Sequence, residues 1–423
     1  MISLVNEKLL HYIWQYQLYN KICLESIIGQ PIQILSHGWL NHNQGPDFLN
    51  AKIKIEDTVW VGNIEIHVNT SDWEKHKHSE DDHYKNVILH VVWNHDKHLN
   101  LSFPTIELKS KVTKLLIQKY KLLMESKSFI PCQNNIKIVD HLYIEKYKER
   151  LLVERLQEKS IFIESLLIEN NNNWNETIWW ILARSFGGKI NGQAFESIAK
   201  SIPLGILLQN RHSLFQIEAI IFGQSGLLNV EFIEEYPNKL KLEYAFLQKK
   251  YGLITPRIRL NYLRMRPANF PSIRLAQLSS FVFLQGDLFS SLFDLKEKKE
   301  INQWFKIFAS SFWNDHYTFH QLSINSIKKI GLDTANNIQI NAVMPLLYCY
   351  GYYQNNEKIK MRAIEWLHQL INEKNSIITA FSKLNISIKS AADSQALIQL
   401  YTKYCQQKKC LHCTIGNVLF TKN

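Results

Sequence analysis

Gly45-Pro46-Asp47-Phe48 and, beyond a short turn, Gly62-Asn63-Ile64-Glu65-Ile66-His67-Val68 decide how the N-terminal part of the chain is read. On a β-strand, residues i and i+2 share a face. Asn63, Glu65 and His67 therefore project one way, while Ile64, Ile66 and Val68 project into apolar packing. Glu56-Asp57-Thr58 separates two β-type runs, 51–55 and 59–68. That predicts a hairpin returning Asp47 to within a residue or two of Glu65. Two carboxylates brought together in a partly buried site repel and need a counter-charge, and a hard divalent ion such as Mg²⁺ or Mn²⁺ is the usual one. Such an ion polarises a phosphoryl oxygen and acidifies a bound water. His67 is then placed to position or activate that water.

Working outward, residues 6–30 read as one amphipathic helix with Leu9, Leu10, Ile13 and Trp14 on one side, ending near Gly29. Further β-type runs cover 32–35, 87–93 and 106–108; the second is almost wholly apolar, as a central strand covered on both faces would be. From about Val112 the spacing turns helical, with helices expected over 143–167, 178–183, 272–292 and 363–384 and a polar break at Asn170 to Asn173. Gly187-Gly188 and Gly223-Gln224-Ser225-Gly226 look like helix ends. The expected fold class is α+β overall: an N-terminal α/β domain over 1–125, then a large all-α domain over 126–423 that carries a C-terminal cysteine cluster.

Three other stretches bear chemistry. Between His67 and His95 lie His76, His78, His83 and His90. There, His78, Asp81 and Tyr84 can line one side of a short helix, so that His76, His78 and Asp81 border the site and hold a phosphate or second ion. Between Arg257 and Leu278 stand Arg257, Arg259, Arg264, Arg266 and Arg274 with no acid, interleaved with Tyr262 and Phe270. Guanidinium groups fork onto phosphate and aromatic rings stack on bases. Arg264, Arg266 and Arg274 are the expected backbone contacts, against the alternative of an interface paired with Glu231, Glu234, Glu235 and Glu243. Finally, Cys405-x4-Cys410-x-His412-Cys413 sets three thiols and an imidazole within nine residues. Cys410-x2-Cys413 has the spacing of half a tetrahedral metal site, with His412, Cys349 or Cys132 as a fourth ligand; zinc, an iron–sulfur cluster and plain thiols all remain open.

The helix, the Pro46-Asp47 turn and Glu65-x-His67 resemble the PD-(D/E)xK nuclease superfamily. The resemblance implies a restriction-endonuclease-like core in which Asp47 and Glu65 hold Mg²⁺ and in which Glu7, on the preceding helix, joins them. The superfamily's lysine, two positions after the second acid, is His67 here, so a titratable group replaces a permanent cation. Some of those nucleases also carry a C-terminal cysteine set around an iron–sulfur cluster. Taken whole, the chain looks like a member of a bacterial family built on a domain of unknown function. Its landmarks are Asn43-x-Gly45-Pro46-Asp47-Phe48, Trp73-x-x-His76-x-His78, Leu89-His90-Val91-Val92, Arg266-Pro267-x-Asn269-Phe270-Pro271 and Cys410-Leu411-x-Cys413.

Composition limits the rest. The 423 residues are 46% hydrophobic and 21% charged, which excludes wholesale disorder. The net charge of +11 favours polyanionic partners, nucleic acid first. No apolar run approaches the roughly 18–20 residues that span a bilayer, and no export signal is evident, so a soluble cytoplasmic protein without membrane partners is expected. The expectation is thus a metal-dependent nuclease-like protein hydrolysing phosphodiester bonds in DNA or RNA. The alternative is an inactive nucleic-acid-binding or scaffolding protein on the same fold.

Overall fold

The structure, a computed structural model, describes residues 5–421. The chain forms two compact units, Met1–Tyr147 with Leu400–Asn423, and Lys148–Gln399. The division therefore falls later than residue 125, and the last residues belong with the N-terminal unit instead of the helical one. Mixed α/β structure with an N-terminal sheet gives way to mostly helical structure.

The sheet of the first unit contains β1 (Ile32–Ser36), β2 (Trp39–Leu40), β3 (Phe48–Ile55), β4 (Thr58–Asn69), β5 (Val87–Asn94) and β6 (Thr105–Glu107). Its path runs β1-β3-β4-β5-β6, with β2 paired to β3. The β3–β4 pair is the expected antiparallel hairpin, closing at Ile55↔Thr58 and ending with Phe48 opposite Ile64. That register sets Asp47 beside Glu65. A bulge between Phe48 and Ala51, with Asn50 at φ 56°, bends β3 just after the aspartate. Gly62 is required where it stands: a Cβ there would meet the Asn86 carbonyl oxygen and Ile88 Cγ2 at 2.5 Å.

Strands β4 and β5 are parallel, with Glu65 opposite His90 and His67 opposite Val92. Parallel neighbours need a crossover, and here it covers residues 70–86, holding the short helix α2 (Asp72–Lys75) and two 3-10 turns. β5 is buried along Val87–Val92, as its continuous apolar sequence implies.

Helix α1 is shorter than the sequence suggests, Glu7–Gln15 in place of 6–30. Asn6 caps its start, accepting from Leu9 N–H. Gln17 at φ 53° ends it, and Leu18 N–H bonds Ile13 O. Past that point Tyr19 stacks on Trp14, whose ring centroid is 5.3 Å away, so the apolar residues that mimic a continued helical stripe pack from irregular chain. Leu9, Leu10, Ile13 and Trp14 enter one core with Phe48, Ile53, Ile64, Ile66, Leu89 and Val91. Each such side chain contributes about 1.5–3 kcal/mol on burial.

In the second unit, helices form where expected, with shifted breaks. Residues 143–167 lie within His141–Glu169, and Asn173 caps Trp174–Lys200. Gly188 (φ 62°, ψ −158°) kinks the latter where an end was expected. Residues 272–292 split into Pro271–Gln285 and Leu288–Phe293. The cause is Gly286 (φ 66°), where any Cβ would strike the Arg211 guanidinium at 2.3 Å. Residues 363–384 likewise divide between Glu357–Gln369 and Ser376–Ser382. Among the described residues no helix is long and apolar enough to cross a membrane.

Candidate metal centre

The sheet alternation places Glu65 and His67 on one face of β4, beside His90 on β5. Both are buried, at 5% and 1% exposure. Asp47 arrives from the β2–β3 loop, which Asn41 braces by donating from Nδ2 to Pro46 O. Its backbone N–H donates to Glu65 Oε2 (3.1 Å), and its own Oδ2 accepts from Ile66 N–H (3.0 Å). The Glu65 carboxyl is therefore fastened to the Asp47 backbone, and the Asp47 carboxyl to the backbone of Ile66, next to Glu65. Burial, followed by the Asp47 charge, raises the Glu65 pKa well above the ordinary carboxylate range.

One turn apart on α1, Glu7 and His11 present the same side of the helix. His11 Nε2 lies 3.1 Å from Asp47 Oδ2. Burial opposes charge on that imidazole, yet Asp47, Glu7 and Glu65 outweigh it and raise its pKa. Glu7 is raised by burial and by Asp47. The charges of Asp47, His76 and His11 all act on it.

The crossover supplies the rest. Trp73 is buried, donates from Nε1 to Ser79 Oγ (2.9 Å), and stands edge-on to His78. Between His76 and His78, Lys77 takes φ 56°. That left-handed residue reverses the chain, so both imidazoles turn toward His67. His67 Nε2 lies 3.2 Å from His76 Nδ1, 3.3 Å from His78 Nε2 and 3.4 Å from Glu65 Oε1. His78 Nε2 is also 3.3 Å from Glu65 Oε1. The ligand atoms of His67, His76 and His78 all fall within 4.8 Å of one another. Nitrogens bonded at about 2.0–2.1 Å to one tetrahedral ion stand roughly 3.3 Å apart, so the spacings from His67 to both partners suit a shared ion. His67 Nδ1 rests 2.9 Å from His90 Nε2, which orients the ring. Burial and the neighbouring imidazoles drive the His67 pKa down to about 2 and His90 to about 3. Both are neutral, the form that ligates.

His76 and His78 are therefore at the centre of the site and not on its rim. Asp81 departs from expectation: it caps a 3-10 turn, and its carboxylate takes both His83 N–H and His83 Nδ1 (2.6 Å). Tyr84 keeps the side expected of it with His78, stacking on that ring at 3.8 Å. His11 and His90 were missed. The Glu7-x3-His11 spacing is a readable helical signal, but His90 joins only through strand register.

The arginine expectation divides. Arg257, Arg259, Arg264 and Arg266 are exposed, and among the described residues no ion pair engages them. The acids considered as their partners are held by others: Glu231 by Lys241, Glu235 by Lys239, Glu234 by His316 and Glu243 by Gln216. Arg274 is a correction. It is 8% exposed, and its guanidinium donates to Gln277, Asn269 and Thr334, which leaves it no role at the surface.

The C-terminal set is corrected in one member. Cys405, Cys410 and Cys413 are buried and line one cavity, while His412 is exposed. In the 3-10 turn Cys410–His412, residues three apart share a side, so His412 points away from the two thiols it separates. Cys349 lies in the helical unit, with its thiol toward Ser160 O.

Residues 7–376 match a protein family described as a protein of unknown function, DUF2851. The chain belongs to DUF2851. No curated protein and no solved structure matches it. The match covers the acids, the histidines and the arginine stretch of this DUF2851 chain and stops before the terminal cysteines.

Proposed function

We propose that this protein is a divalent-metal-dependent hydrolase of phosphodiester bonds in nucleic acid, on a core akin to the PD-(D/E)xK nucleases. The observation that carries the reading is the convergence of His67 Nε2, His76 Nδ1 and His78 Nε2 beside two interlocked carboxylates. Three imidazoles from a strand and its crossover form an open ligand set, as hydrolytic sites require. Nitrogen donors suit Mn²⁺ or Zn²⁺, while Mg²⁺ prefers oxygen, so the magnesium expected from the acids alone gives way to an imidazole-binding metal in this reading. A divalent ion so held supplies a Lewis acid and an acidified water. Glu65 is placed to hydrogen-bond and orient the attacking water. Asp47 orients Glu65, and His11 holds the Asp47 carboxyl in place. The exposed arginines of the helical unit and the charge of +11 support a polyanionic substrate.

The test is cleavage of single- and double-stranded DNA and RNA with Mn²⁺, Zn²⁺ or Mg²⁺, comparing wild type with Asp47→Ala, Glu65→Ala and His67→Ala. The reading requires Mn²⁺- or Zn²⁺-dependent cleavage that drops at least about 100-fold in each variant. Absence of cleavage by the wild type across all substrates and metals defeats it. Salt-sensitive binding that persists in the variants would then support the nucleic-acid-binding alternative, which the unpaired arginines favour.

A further inference from the structure

A second cluster lies in the N-terminal unit, apart from the histidines and unused by the proposed hydrolysis. Cys132 comes from the turn-rich stretch before helix His141–Glu169, and Cys405, Cys410 and Cys413 come from the last segment. All four line one cavity, with Leu123, Pro131, Tyr404, Lys409 and Gly416. None is in a disulfide. Each of Cys132 and Cys405 feels the charge of the other thiols, Cys410 and Cys413 among them, so the four sulfurs face a common space.

The backbone is shaped to hold them there. A π-helical turn, Leu400–Cys405, presents the first thiol. Lys408 at φ 50° turns the chain, Lys409 N–H bonds Tyr404 O, and Cys413 N–H bonds Cys410 O. The helix Thr414–Thr421 follows directly, and its Gly416 packs against Cys410: a Cβ there would fall 2.0 Å from Cys410 O. That glycine lets the loop close on itself. Lysine is beside the thiols, where it offsets thiolate charge.

We propose that Cys132, Cys405, Cys410 and Cys413 are the four ligands of an iron–sulfur cluster that fastens the C-terminal segment into the N-terminal unit. A single zinc ion gathers four sulfurs at about 2.3 Å, leaving them roughly 3.8 Å apart. Among the described residues, the three histidines are the one group whose ligand atoms lie within 4.8 Å of one another, so the thiols stand more widely spread. A cluster takes one thiolate per iron and spreads its ligands around a core of its own, which matches four sulfurs about a cavity. On ligation each thiol releases its proton to solvent, and no thiol is oxidised. This inference does not depend on the hydrolase reading.

The experiment uses the full chain purified without oxygen and, in parallel, reconstituted with ferrous iron and sulfide. Iron, acid-labile sulfide and zinc are assayed, together with the broad visible absorbance of thiolate–iron charge transfer. Iron and sulfide should be present in the wild type, lost in Cys132→Ser and Cys410→Ser, and retained in Cys349→Ser and in Glu65→Ala. Retention in Glu65→Ala separates this site from the histidine centre. Zinc without sulfide, located by its loss in Cys410→Ser, overturns the cluster. So does wild-type protein that holds no metal at these thiols after reconstitution. These wild-type assays decide the matter even if Cys132→Ser fails to fold.

Discussion

His67 in the N-terminal unit and His316 in the helical unit are equally buried, at 1% and 3% exposure, but their surroundings differ in kind. His316 sits between carboxylates: Nε2 is 2.9 Å from Glu234 and Nδ1 is 2.7 Å from Asp315. Burial opposes its protonation, yet Glu234, the Phe312 carbonyl and Asp315 raise its pKa. Its donors and acceptors close on themselves. His67 faces other imidazoles from both nitrogens, and burial with those neighbours lowers its pKa. Several ring nitrogens crowd one point with too few protons to pair them all. The carboxylates divide less cleanly. Glu218 of the helical unit is fully buried and accepts on Oε2 from the hydroxyls of Tyr236 and Ser310, while its Oε1 has no hydrogen-bond partner among the described residues. Glu65 is pressed against Asp47. A buried polar group whose partners complete it is structural, and one left incomplete by its own neighbours marks a place for a ligand.

The most severe way to break this contrast is to remove a ligand. Structural-type zinc sites bind with about 10–16 kcal/mol, so losing one ligand of several should cost about 3–4 kcal/mol, or some hundred- to thousand-fold in affinity. His67→Ala should show that loss for Mn²⁺ or Zn²⁺ by calorimetry. His316→Ala should leave the affinity untouched. Equal losses in the two variants would erase the distinction.

Next in size is the pH response of Glu218. Burial raises its pKa from 4.5 to about 7 in the folded chain. The folded state then binds the proton more tightly than the unfolded state. Its contribution to stability is full below pH 4.5, is lost as pH rises toward 7, and changes no further above that. The shift corresponds to about 3 kcal/mol at about 1.4 kcal/mol per pH unit. Denaturant unfolding of wild type and Glu218→Gln across that interval should show the variant lacking this slope. Parallel curves would mean that burial does not raise the carboxyl's pKa.

A finer probe is His90→Gln, which removes the imidazole that orients His67 without touching the convergent nitrogens. Metal affinity should fall about 10–100-fold, less than for His67→Ala. A loss as large as that of His67 itself would place His90 among the ligands.

Much of the sheet was legible because strand alternation and turn residues are local. The runs ending at Ile55 and starting at Val59, the hairpin between them and the buried β5 all follow from short-range pattern, and the hairpin then fixes the neighbouring of Asp47 and Glu65. What escaped depends on distant contacts. Helix 6–30 reads as continuous because residues 17–24 keep helical spacing, although Gln17 and Tyr19 are recruited by turn and ring packing. His76 and His78 read as the border of the site, and that they turn to its centre depends on Lys77 reversing the chain. His90 enters by parallel register and Cys132 by a fold-back of the C-terminus; neither leaves a trace in spacing. Arg274 reads like its four neighbours but starts a buried helix, where Asn269, Gln277 and Thr334 claim it.

Two of the three converging imidazoles ride on the connection between β4 and β5, not on the strands. A nascent chain with β5 undocked therefore offers an ion little more than His67. The convergence of the three imidazoles requires the crossover to be closed. On the metal-dependent reading proposed above, an ion held by all three imidazoles would report a closed crossover.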